Sequence, residues 1–184
     1  MSAALPASSP EDPRAFRRAL AHFGTGVAIV TADAPQGPLG ATISSFNSVS
    51  LDPPLILFSL IKSSLGIAQW RESSAFCVSI LGERQIEISN RFAKAGSDKW
   101  SGVERCPASN GALVIPGSIC YFECGPYAVH DGGDHEIFVC RVTHFWTDES
   151  NPLPLLFYTG QYRRLAPPGG HAVPPSDNLW LHGW

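Results

Sequence analysis

Hydroxyls, glycines and a lysine crowd the stretch from Gly37 to Gly66, GPLGATISSFNSVSLDPPLILFSLIKSSLG. Read as one strand, Ala41 to Val49 turns Ala41, Ile43, Ser45, Asn47 and Val49 to one face, and Thr42, Ser44, Phe46 and Ser48 to the other. Neither face is uniformly apolar. Hydroxyls held in a sheet need hydrogen-bond partners, and a polar ligand is one source of them. After the Asp52-Pro53-Pro54 break, Leu55 to Leu60 reads as a short buried strand, and Lys62-Ser63-Ser64 follows at once. A helix through Gly66 to Glu72, capped by Ser63 or Ser64, would gather free backbone N–H groups, two hydroxyls and an ammonium, the set that an anionic phosphate needs. The same residues also suit an ordinary solvated cap.

Further along, His135 follows the turn Asp131-Gly132-Gly133-Asp134, where a strand enters the sheet, so it belongs at an edge and not in a core. Alone it reads as a solvated or structural histidine. Tyr158 and Tyr162 in LLFYTGQYRRL read as packing residues with their hydroxyls at a rim. Arg91 and Lys94 fall late in a helix, where cations offset the helix dipole. Cys120 and Cys124 are four strand residues apart, about 13 Å, too far to share one ion, so no metal is expected. Cys77, Cys120, Cys124 and Cys140 fit better as small buried apolar residues. Gly24-Thr25-Gly26 lacks the third glycine of a dinucleotide fingerprint and precedes a strand. There is no GxxxxGK[ST] and no GxSxG.

The elements that must position these residues are mostly strands. Asp12-Pro13 starts a helix whose face carries Phe16, Ala19, Leu20 and Phe23, expected to pack by Phe16 and Phe23. Val27–Thr31, Ala75–Leu81, Leu113–Ile115, Ile119–His130, His135–Trp146 and Leu155–Tyr158 read as strands, and Glu83 to Phe92 as a helix. The turn Asp33 to Pro38 pairs the first strand with the hydroxyl-rich one in antiparallel fashion. Helices alternating with parallel strands are absent, so the expectation is a mainly β chain with a few helices, closed as an antiparallel barrel. The chain of 184 residues suits one domain, residues 12–165, after a loose arm, 1–11, and before a Pro/Gly-rich linker with an apolar tail, 166–184. The net charge of −3 offers no general pull toward nucleic acid or anionic membranes, and no apolar run is long enough to span a bilayer. Five cysteines without a signal peptide point to a reducing, cytoplasmic setting.

The stretch GATISSFNSVSLDPPLILFSL, together with Gly133-Asp134-His135, resembles the short-chain flavin reductases, the reductase components of two-component flavin-dependent monooxygenases, from about Phe16 to about Arg164. That resemblance implies a flavin-binding split β-barrel. It assigns FAD or FMN to Gly40, Ala41, Thr42, Ser44, Ser45, Ser59, Lys62, Ser63, Ser64, Arg91 and Phe92, with the last two and Asp98-Lys99-Trp100 covering the flavin. It assigns the nicotinamide of NADH or NADPH to His135, Tyr158, Gly160 and Tyr162, with His135 orienting the donor ring for hydride transfer. It implies a homodimer and a partner oxygenase that receives the reduced flavin. The rival reading is a flavin-binding or electron-transfer protein of the same barrel.

Overall fold

The computed structural model describes residues 9–96, 98–150 and 153–165. The arm through residue 8 and the chain from 166 onward, including the expected linker and apolar tail, lie outside the described residues, as do Asn151 and Pro152. In chain order the elements are α1 (Pro13–Leu20), β1 (Thr25–Gly26), β2 (Ala28–Ala32), β3 (Leu39–Ile43), β4 (Asn47–Leu51), β5 (Pro54–Ile61), α2 (Ile67–Glu72) and β6 (Phe76–Ile80). They continue with α3 (Ile86–Ala93), β7 (Cys106–Pro107), β8 (Leu113–Val114), β9 (Cys120–Gly132), β10 (His135–Thr147), β11 (Leu156–Tyr158) and β12 (Gln161–Arg163). No helix among the described residues is long and apolar enough to cross a membrane.

Seven strands form one antiparallel sheet in the order β3-β2-β6-β9-β10-β5-β4, with a three-stranded sheet β1-β11-β12 and a small β7-β8 pair beside it. The fold is mainly β, a split barrel and not a closed one. The expected single strand from Ala41 to Val49 is in fact two. β3 pairs with β2, the chain turns at Ser44-Ser45-Phe46, and β4 pairs with β5 at the far end of the sheet. Strand alternation could not reveal this, because exchange of partners leaves no mark in a run of hydroxyl residues. Ser45 laces the gap: its Oγ accepts from Ser59 N at 2.9 Å and donates to Ser59 O at 3.2 Å.

The barrel interior holds Phe58, Phe76, Phe138 and Trp70 with Val30, Val78, Ile56 and Cys140. Phe58 stacks on Phe138 at 5.2 Å and meets Phe76 edge-on at 5.7 Å. Burying each such ring contributes about 1.5–3 kcal/mol. β2 is buried on both faces because Ala28 and Val30 point into this core while Ile29 joins a second cluster with Leu81, Phe92, Ile115 and Leu155. That second cluster seats α3. Cys77, Cys124 and Cys140 are buried, and burial pushes the Cys77 and Cys140 thiols up to about 12.

α1 starts as expected, with Asp12 Oδ1 accepting from Arg14 N and Ala15 N. Its expected packing is not found among the described residues. None of its residues is buried, and Phe16, Leu20 and the following Phe23 are 49%, 59% and 79% exposed. Among the described residues no surface lies opposite this face.

Candidate functional site

A cleft of about 930 Å³ opens between β3, the end of β5, the N-terminal side of α2 and the chain that follows α3. Of the residues singled out in the sequence, Gly40, Ala41, Thr42, Ser44, Ser45, Ser59, Ser63, Ser64, Phe92 and His135 line it. Its volume lies in the upper part of the range of small-molecule pockets.

Each wall has a local cause. β3 is an edge strand, so its backbone runs along the cleft without a neighbouring strand on that side. Gly40 is required there: a Cβ would stand 2.3 Å from Phe92 Cε1 and 2.5 Å from Cδ1, so only glycine lets α3 lie against the strand. Two of the hydroxyls are used internally. Thr42 Oγ1 donates to Ser89 O at 2.6 Å, and Ser45 bridges to Ser59. Ser44, Ser63 and Ser64 keep theirs without a protein hydrogen bond among the described residues.

The expected cap on α2 is absent. Gly66 holds the N-cap position with no side-chain bond, and Ser64 contributes its carbonyl to Ile67 N instead of a hydroxyl. With one and a half turns, α2 offers little dipole, so a phosphate here would depend on hydroxyls and side-chain cations. Lys62 does not line the cleft. Its Nζ pairs with Asp131 Oδ2 at 2.8 Å, on the β9–β10 hairpin, because residue 62 lies just beyond β5 where that hairpin folds over it. Arg91 also turns away from the cleft and donates to Ser101 O. The cations that do line the cleft are Lys94, Lys99 and Arg105. Arg105 lies in an irregular segment with no sequence signal, and only the fold brings it there.

His135 is positioned by three contacts. It stands opposite Ile61 in the β5–β10 register, Lys62 N donates to Asp134 O at 2.9 Å, and Asp134 Oδ1 lies 2.7 Å from His135 Nδ1. An ionised carboxylate only accepts, so Nδ1 carries the proton and Nε2 is left to a ligand. The same contact holds the Asp134 carboxyl below the usual carboxylate range, as the Lys62 bond does for Asp131.

Tyr158, Gly160 and Tyr162 are not brought to this cleft within the chain. They belong to the β1-β11-β12 sheet, where Tyr162 OH bonds Ser89 Oγ at 2.9 Å and donates to Asn90 Oδ1 at 3.0 Å. Tyr158 is 40% exposed and meets His22 edge-on at 6.2 Å. Sequence spacing could not separate this small sheet from the barrel rim.

Residues 20–166 match the family of the Flavin reductase like domain. The chain belongs to that family. It is 38% identical over 161 residues to the flavin-dependent monooxygenase reductase subunit HsaB of Mycobacterium tuberculosis, covering 87% of this chain and 86% of that protein. It is 42% identical over 156 residues to the FMN reductase (NADH) SmoA of Agrobacterium fabrum, covering 85% and 88%. Among solved structures, the NADH:FAD oxidoreductase SgcE6 of Streptomyces globisporus, in complex with NAD and FAD fragments, superposes with a TM-score of 0.84 at 32% identity, covering 90% and 99%.

The flavin reductase cleft fits the group its family implies. Free hydroxyls and the β3 edge suit the polar side of a flavin, Leu65 its apolar ring, and Lys94 and Arg105 a phosphate.

Proposed function

We propose that this flavin reductase takes FMN or FAD into the cleft, uses NADH to reduce it, and hands reduced flavin to a separate flavin-dependent oxygenase. The observation that carries the proposal is one cleft walled by β3, Ser63 and Ser64, with His135 at its rim. A bound flavin would supply the hydride-accepting ring. The protein's own part is to bind and orient: the β3 edge with Ser44 and Ser59 for the ring's polar side, Ser63 and Ser64 with Lys94 and Arg105 for the phosphate, Phe92 beneath β3 as the support of that edge, and His135 Nε2 toward the nicotinamide. No protein nucleophile is needed, because close stacking of two rings is the main requirement of hydride transfer.

Two further features complete the reading. The exposed face of α1 and the exposed Tyr158 support a homodimer, in which Tyr158 and Gly160 serve a nicotinamide site from across the subunit boundary. The free cysteines support a cytoplasmic setting.

Anaerobic stopped-flow mixing of protein and flavin with NADH tests the proposal. Bleaching much faster than for free flavin is expected, followed by transfer of the reduced flavin to an added oxygenase, or by reduction of added cytochrome c by the released reduced flavin. Reduction no faster than that of free flavin, with either NADH or NADPH, sinks it. A protein that is reduced but retains its flavin through gel filtration would instead be an electron-transfer protein.

A further inference from the structure

The open edge of β3 is covered by side chains, where another strand would ordinarily pair. Pro38 and Gly40 stand two residues apart, so their carbonyls share one edge of the strand. Pro38 O accepts from Trp100 Nε1 at 2.7 Å, and Gly40 O accepts from Lys99 Nζ at 3.0 Å. The same ammonium donates to Phe92 O, in the last turn of α3, at 2.9 Å. Trp100 meets the Phe92 ring edge-on at 4.9 Å, and that ring fills the space where Gly40 has no side chain.

We propose that Lys99 is a positioning residue: by bonding the Gly40 and Phe92 carbonyls together it clamps the Asp98–Trp100 segment and the end of α3 onto β3, and so sets the width of the flavin cleft.

Three observations support the clamp. The two bonds are charge-assisted, roughly twice as strong as neutral ones. The ammonium makes no ion pair among the described residues, so carbonyl oxygens are what offset its charge, and burial lowers its pKa. Finally, an unpaired edge strand recruits other strands unless something covers it, and Lys99 with Trp100 covers this one. The clamp is read from contacts within the chain; its effect on flavin rests on the function proposed above.

Two measurements separate the clamp from that function. Hydrogen–deuterium exchange on the ligand-free protein is expected to quicken in Lys99→Met, confined to peptides covering β3, the end of α3 and the Asp98–Trp100 segment, with partial restoration in Lys99→Arg. Exchange in Lys99→Met equal to the wild type overturns the clamp. Fluorescence titration with riboflavin, FMN and FAD is expected to show all three weakened by roughly tenfold in Lys99→Met, with KM for flavin rising more than kcat falls. Weakening of FMN and FAD with riboflavin unaffected would make Lys99 a phosphate-attracting charge and overturn the positioning role. Wild-type protein that binds no flavin would overturn the functional reading, while the exchange result still decides the clamp.

Discussion

The ring of His135 is held by its neighbour in the chain. Asp134 Oδ1 accepts a hydrogen bond from Nδ1 and the β5–β10 register fixes the backbone, so Nε2 is presented without a second protein contact among the described residues. In His135→Ala, hydride transfer from NADH should slow by about tenfold to a hundredfold while flavin affinity stays nearly intact, since the residue addresses the donor and not the resident ring. Stopped-flow rates beside a flavin titration check this; equal losses in both would make His135 a structural residue. Asp134→Asn should give a smaller loss in the same direction, because an amide can still accept from Nδ1 but also presents donors that allow the ring to turn.

The elements around the cleft are joined by a few contacts. Gly40 is one point where β3 and α3 touch, beside the Thr42–Ser89 bond, and Gly40→Ala forces its methyl group into Phe92. Overpacking of this kind is expected to destabilise the fold by about 1–3 kcal/mol and to weaken flavin binding together, measured by denaturant unfolding and flavin titration. If stability is unaffected, α3 is less firmly seated than its contacts imply. On another side, α2 is tied to β10 by Arg71, whose Nε donates to both carboxylate oxygens of Glu136 at 2.9 Å. The guanidinium holds the Glu136 carboxyl below its ordinary value of 4.5. A lowered carboxyl pKa stabilises the fold above the ordinary value, and that contribution is lost as pH falls through the lowered one. Stability in the wild type should therefore fall more steeply below about pH 4.5 than in Glu136→Gln, as unfolding midpoints across that range would show.

At the scale of the molecule, the exposed faces are as informative as the core. α1 is well capped and amphipathic yet has no buried residue, and Phe16, Leu20 and Phe23 are exposed among the described residues. Large apolar side chains grouped along one short segment make a patch that a folded monomer rarely leaves uncovered. The proposed homodimer would cover it. Phe16→Asp combined with Phe23→Asp should shift the sedimenting species from dimer to monomer at micromolar concentration and reduce turnover with NADH. A wild type that sediments as a monomer with flavin bound would remove the dimer from the account.

Local rules reached far in this chain because its strands and turns are marked by β-branched runs and by glycine and proline. β2, β6, β9, β10 and the Asp12 cap are all legible from composition and period. The two motifs, GATISS and Gly133-Asp134-His135, lie far apart in the chain but share one cleft, and a resemblance was enough to name both. Tertiary structure decided what depends on pairing and direction. β3 and β4 look like one strand until their partners are seen, because the hydrogen bonds that divide them come from β2 and β5, residues distant in sequence. The pairing of Lys62 with Asp131 is invisible in the local sequence, and Arg105 carries no local sign of facing the cleft. The direction of a side-chain charge is set by which carboxylate or carbonyl packs against it, and that is a property of the folded arrangement alone.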